Sequence, residues 1–188
     1  MKERAYKYRI YPTTEQAELL SRTFGCVRFV YNSILKWRTD AFYNEQIKVN
    51  YNKASSYLTE LKKQSEFSWL NEVSCVPLQQ SLRHQQTAFK NFFTGQAKYP
   101  AFKKKRDKQS AEFSKSAFKY RDGQLFIAKS SQPLNVRWSR ELPGEPTTIT
   151  ISKDSAGRYF VSCLCRFTSF NICLSCDLSR YLLLISIL

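Results

Sequence analysis

The sequence predicts an α+β fold in which an opening strand joins a late group of strands and a block of helices is inserted between them. Three observations carry this. Residues 5–11, AYKYRIY, alternate, with Tyr6, Tyr8 and Ile10 on one face and Lys7, Arg9 and Tyr11 on the other. The following eighty or so residues repeat apolar side chains at helical spacing. Beyond residue 115 the chain becomes short alternating arms separated by turn signals.

Taken in order, Pro12 ends the first strand, and Thr13 with Gln16 forms a capping-box pattern for a helix. Gly25 is a natural stop, so this helix is expected to end near Phe24. A second helix is expected from Cys26, because Val27, Val30, Tyr31, Ile34 and Leu35 make one apolar stripe. Arg28, Asn32, Lys36 and Arg38 are left to its other faces. A third helix is expected over 52–64, with Ala54, Tyr57, Leu58 and Leu61 inward. The fourth has Pro77 in its first turn and carries Leu78, Leu82, Phe89 and Phe93 inward, up to Gly95. Gln79, Arg83, Gln86 and Lys90 form its polar face.

KYPAFKKKRDK, residues 98–108, then concentrates basic residues around a single acid. We take 98–114 as a basic linker whose Lys103, Lys104, Lys105 and Arg106 contact phosphate. Asp122-Gly123 between alternating arms signals a β-hairpin. PLNVRW is a further short strand, and TTITISKDSAGRYFVSCLC a second hairpin turning at Gly157.

Thirty Lys and Arg against fifteen Asp and Glu give a net charge of +15 over 188 residues. Such an excess concerns partners rather than fold, and nucleic acid is the partner it favours, because neutralised phosphates release counterions. The eleven Tyr, fourteen Phe and three Trp are mostly core, although aromatics between cations can stack on bases. No basic amphipathic anchor argues for a membrane, no small-molecule site is evident, and the N-terminus lacks a signal-peptide core. A cytoplasmic, nucleoid-associated protein is expected, in which the six cysteines need not pair.

Four of those cysteines fall in CLCRFTSFNICLSC, residues 163–176. Cys163 and Cys165 share a strand face with Tyr159 and Val161, which reads as core. Their Cβ atoms would stand roughly 6.6 Å apart, whereas two thiolates on one tetrahedral zinc approach to about 3.8 Å. Cys173 and Cys176 have zinc-like spacing but lie in the tail. Zinc is not expected. His84, the sole histidine, has no nucleophile or metal partner in view.

Several blocks resemble, in order, the N-terminal half of TnpB (OrfB-type) transposon-encoded proteins: YKYRIYPTTEQ, GCVRFVYN, LTELKKQSEFSWLNEV, VPLQQSLRHQQTAFKNFF, YPAFKKKRDKQS and TITISKDSAGRYFVSCL. The resemblance covers about residues 1–166. It implies an OB-like β-barrel, the wedge domain, from 1–12 and 115–166, with a helical recognition lobe of about four helices over 13–97 that opens as a helix-turn-helix. It also implies binding of a structured guide RNA and of target DNA, base pairing to the guide supplying most of the specificity. Tyr51, Ser55, Gln79 and Ser114 match the surface that reads a short motif beside the target, and Cys75 stands where relatives can carry a basic residue. With Arg83, Lys7, Arg9 and the cations of the linker, these form the candidate nucleic-acid-binding set.

The family's RuvC-like nuclease uses three carboxylates and two Mg²⁺ ions, and the resemblance stops before it. Asp177 is followed by a leucine, but Ser179 replaces the glycine and Cys176 the β-branched residue that flank the first carboxylate, and Asp40, Asp107, Asp122 and Asp154 are scattered. No catalytic residue, metal or cofactor is therefore assigned to this chain. Residues 167–188 change composition abruptly, as expected of a reading frame that left its ancestral course near Arg166. YLLLISIL is too short to span a bilayer. The expected function is a nucleic-acid-binding fragment without the nuclease half. Two alternatives stay open: an endonuclease completed by a second chain, and a decayed product without function.

Overall fold

The computed structural model describes residues 2–167. Strand β1 (Lys2–Ile10) leads into helix α1 (Thr14–Glu45), helix α2 (Tyr51–Lys63), a 3-10 helix (Ser65–Asn71) and helix α3 (Cys75–Phe93). Six strands follow: β2 (Gln109–Ser114), β3 (Phe118–Arg121), β4 (Gln124–Ile127), β5 (Val136–Arg137), β6 (Pro146–Lys153) and β7 (Tyr159–Phe167).

The capping box forms as expected. Thr13 Oγ1 accepts the Gln16 backbone N–H at 3.3 Å, and Gln16 Oε1 accepts that of Thr13 at 3.2 Å. The Gln16 amide also donates to the carbonyls of Gln132 and Pro133, at 3.1 Å each, fixing the helix start to the loop before β5.

Gly25 does not end this helix. Residues 14–45 form one helix, and the left-handed stop falls at Gln46, with φ of 55°. A glycine inside a helix costs only about 1 kcal/mol relative to alanine. The buried stripe Leu20, Phe24, Val27, Val30, Ile34 runs through it unbroken and outweighs that cost. Among the described residues the helical block is therefore three α-helices and one 3-10 helix, and its first two expected helices are one.

Two side chains on the helices are placed otherwise than expected. Arg38, assigned to a polar face, is buried at 5% exposure, and Phe93, assigned to the core, is 70% exposed. α1 is straddled by α3 at the Arg38 turn, with Gln86 and Phe89 closing over the guanidinium. Phe93 falls in the last turn of α3, past the end of that packing.

The strands form a five-stranded antiparallel sheet in the order β2-β6-β7-β1-β5. The opening strand thus joins the late ones, pairing with β7 along its whole length. Gln109–Ser114, expected in the basic linker, are β2, paired with Thr148–Lys153 of β6. Among the described residues the sheet is open, with β2 and β5 as its edges. β5 contributes two paired residues, Val136 and Arg137, too few to carry the sheet round into the expected barrel. The β3–β4 hairpin turns at Asp122 and Gly123, both at positive φ (51° and 73°), as a two-residue hairpin turn requires. Its Phe118, Leu125 and Ile127 join Tyr8, Ile10, Phe113, Ile149, Val161 and Cys163 in the core that also receives α1, α2 and α3.

Candidate nucleic-acid interface

Helices α2 and α3 form the first part of the surface. Tyr51 opens α2 behind an Asn50 cap, and Ser55 lies one turn on. Ser74 caps α3, and Gln79 and Arg83 lie one turn apart on its solvent face. The Arg83 guanidinium carbon sits 5.4 Å from the Tyr51 ring centroid, which ties the two helices at this surface. Gln79 and Arg83 are exposed; Tyr51 and Ser55 are half-buried. Cys75 is exposed at the first position of α3, so a thiol faces solvent there. Ser114 ends β2 on the face that also bears Glu112. Glu112 accepts from the Gln80 amide at 3.1 Å and bonds His84 Nε2 at 2.8 Å, holding β2 against α3. His84 therefore has a carboxylate partner that the sequence did not reveal.

The basic loop is the second part, and it is built rather than loose. Asn32 of α1 donates to the Lys103 carbonyl and accepts its N–H, both at 2.9 Å. The Gln109 amide reaches the carbonyls of Lys104, Lys105 and Asp107, and Asp107 accepts the Lys104 N–H at 3.2 Å. Arg28 in turn holds Gln109 Oε1 at 2.9 Å. Within this frame the four expected cations separate. Lys103 turns inward, its Nζ 4.4 Å from the Tyr31 ring centroid, and burial lowers its pKa. Lys104, Lys105 and Arg106 point to solvent.

The third part is the open sheet face. Strand pairing sets Arg9 beside Phe160 and Lys7 beside Ser162. Lys7 Nζ and Arg9 Cζ lie 4.2 and 5.1 Å from the Phe160 ring centroid, and Arg9 also lies 5.4 Å from that of Tyr11. Cations flanking a half-exposed ring suit a nucleic-acid strand. A fourth cluster, missed in the sequence, lines a basin of about 560 Å³ around the β3–β4 hairpin with Lys115, Lys119, Arg121 and Lys129. The FKYR arm showed two of these cations; their convergence with the other two is tertiary.

Among the described residues no carboxylate centre accompanies these surfaces. Asp40 is on α1, Asp107 in the basic loop, Asp122 in the hairpin turn, and Asp154 is held by Arg158 at 2.7 Å. Among the described residues no three His, Cys, Asp or Glu side chains gather where a metal ion could sit, so they do not fit a two-metal nuclease centre. Cys163 and Cys165 are fully buried in the core, and burial, with Cys165 beside it, pushes the Cys163 thiol up to about 12. Cys173, Cys176 and Asp177 lie outside the described residues. Among the described residues no helix is long and apolar enough to cross a membrane.

A family profile described as a helix-turn-helix domain, of OrfB proteins of the IS605 type, matches residues 1–47. In this structure those residues are β1 and the single helix α1. A Streptomyces pristinaespiralis protein named "Putative RNA-guided DNA endonuclease" is 59% identical over 169 residues, 88% of this chain and 42% of that protein. InsQ of Escherichia coli (strain K12), which carries the same description, is 30% identical over 159 residues, 84% of this chain and 39% of InsQ. Virulence protein VsdF of Salmonella dublin is 35% identical over 114 residues, 56% of this chain and 96% of VsdF. A chain in the cryo-EM structure of a Cas12f1–sgRNA–target DNA complex aligns with a TM-score of 0.47 at 11% identity, covering 90% of this chain and 49% of that one. That last likeness is too slight to argue from.

Sequence and profile together define a class of OrfB-type, transposase-associated proteins with a helix-turn-helix profile. The chain belongs to the TnpB (OrfB-type) family, and it spans about two-fifths of the length of its two endonuclease-named relatives.

Proposed function

We propose that this chain binds nucleic acid, taking a structured guide-like RNA and target DNA, and that it contributes recognition rather than strand cleavage. The observation that carries this is the built loop: Lys104, Lys105 and Arg106 face solvent on a backbone fixed by Asn32, Asp107 and Gln109. Cations held in place lose less side-chain and loop freedom on meeting a phosphate backbone, and each phosphate neutralised releases counterions. Lys7 and Arg9 beside Phe160 would extend the track across the sheet, as in a wedge-like barrel. Tyr51, Ser55, Gln79, Arg83 and Ser114 would read a short DNA motif. A glutamine can pair an adenine edge, and Ser, Tyr and Arg can reach bases or phosphates.

The test is recovery of RNA with the purified chain. Enrichment of RNA from its own locus, lost as salt rises, is expected; RNA no more enriched than bulk would sink the reading.

A second reading is a half-endonuclease completed by another chain, favoured by the 59% identity to a protein with that name. It predicts Mg²⁺-dependent DNA cleavage when this chain, guide RNA and a separately expressed second half are mixed. Mixtures without cleavage, under conditions where an intact relative cuts, would close it.

A further inference from the structure

Seven large apolar side chains are exposed on the described residues, and six of them belong to one region: Phe42, Tyr43, Ile47, Phe93, Tyr99 and Phe102. They come from the end of α1, the end of α3 and the segments that follow each. Four of them, Phe42, Ile47, Phe93 and Tyr99, border a cavity of about 400 Å³, within the range of small-ligand sites.

Arg38 lines the same cavity. It is 5% exposed, its Nη2 donates to Gln86 Oε1 at 2.9 Å, and its Cζ lies 5.1 Å from the Phe89 ring centroid. Its Nε is buried without a partner. No Asp or Glu lines the cavity, while Lys48 and Lys90 do. Burying a cation without an anion opposes folding, so this arrangement is kept against a stability cost.

A flat ring with hydrogen-bond acceptors and an attached anion meets every feature. Its faces stack on aromatic walls, an acceptor edge such as guanine O6 and N7 takes a guanidinium, and phosphate goes to lysine. Inorganic phosphate would leave the apolar walls unused, and an apolar peptide would bury Arg38 without pairing it. We propose that this cavity seats one unpaired base, by preference guanine, of a single-stranded nucleic acid. Phe93 and Tyr99 stack on the base, Arg38 and Gln86 meet its edge, and Lys48 and Lys90 meet the flanking phosphates. The inference rests on the nucleic-acid reading above and adds a stacking site on the helical end, apart from the basic loop and the sheet face.

The test uses uridine strands of about ten nucleotides, a length within the footprint of single-strand-binding proteins, each carrying one 6-thioguanosine, with deoxy counterparts. Irradiation with the full chain should give adducts within residues 42–50 or 89–99; an adduct from the ribo or the deoxy strand alone supports the site and assigns its source. Phe93→Ala, a change at an exposed position, should lower the yield about five-fold or more, the share of one stacked base. Binding of locus RNA by the unaltered chain is measured alongside; if locus RNA is not bound while the adducts persist, the function reading alone fails. Adducts confined to other segments, or a yield unmoved by Phe93→Ala, overturn the inference. So does a self-associating chain that Phe93→Ala turns monomeric with the yield intact, which would assign the patch to protein. Free guanosine monophosphate competing as well as a strand at equal base concentration would overturn the single-strand source.

Discussion

The guanidinium of Arg83 on α3 lies 5.4 Å from the ring centroid of Tyr51 at the start of α2. Two residues separated by the rest of α2, the 3-10 helix and the first half of α3 are thereby joined on one surface. An exposed cation–π contact of this kind contributes about 0.5–1 kcal/mol. A double-mutant cycle on Tyr51→Ala and Arg83→Ala should return a coupling of that size in urea unfolding, with Tyr51→Phe retaining it. Both alanine variants should weaken DNA binding, and unchanged DNA affinity in both would remove this surface from the interface.

The loop cations should differ in kind. Replacing Lys104, Lys105 and Arg106 by Gln should reduce the slope of log K against log salt by about 0.7–0.9 for each phosphate left unneutralised. Lys103→Gln should leave the slope alone, because its ammonium is folded over Tyr31. Fluorescence anisotropy across a salt series separates the two outcomes. Asn32→Ala should free the loop, seen as faster tryptic cleavage at residues 103–106.

Gly25 discriminates between a continuous helix and a turn. Nothing stands within 4 Å of a Cβ added there. Gly25→Ala should therefore raise stability by about 0.5–1 kcal/mol, read from the urea midpoint. A left-handed turn at this position, as the glycine stop signal alone implies, would instead be strained by the substitution and lose stability.

The buried thiols make stability fall in alkali. Burial, reinforced by the Glu72 carboxylate, pushes the Cys26 thiol up to about 11, and Cys163 is pushed to about 12. Unfolded thiols ionise near about 8.5. Above that pH the folded chain holds more protons than the unfolded one, so stability is complete below it and declines as pH rises toward 11 and 12. Cys163→Ala should flatten the decline between about pH 8.5 and 9.5, below the ordinary tyrosine pKa of about 10. Of the four described thiols, exposed Cys75 should be modified fastest by a thiol reagent, with the adduct placed by peptide mass mapping.

Much of the fold was legible because its signals are local. The Thr13–Gln16 box, the Asp122-Gly123 turn and the alternation of AYKYRIY each depend on neighbours a few residues away, and each forms. The α2 boundary came within a residue for the same reason. At Gly25 the local stop signal is overridden by a stripe of apolar residues whose burial spans the whole helix. β2 escaped notice within a charged segment because its pairing with β6 bridges some forty residues.

The site divides along the same line. The sequence by itself determined the charge, the family, the polar faces of the helices and the run of cations at 103–106, since these belong to composition, motif order and short-range periodicity. Only the tertiary structure decided that Lys103 turns inward while its neighbours face out, that Glu112 claims His84, and that Arg38 is drawn under α3 to the wall of a cavity while Phe93 is left in solvent. Those outcomes depend on which elements cover which faces, and packing between distant segments has no period for a sequence to display.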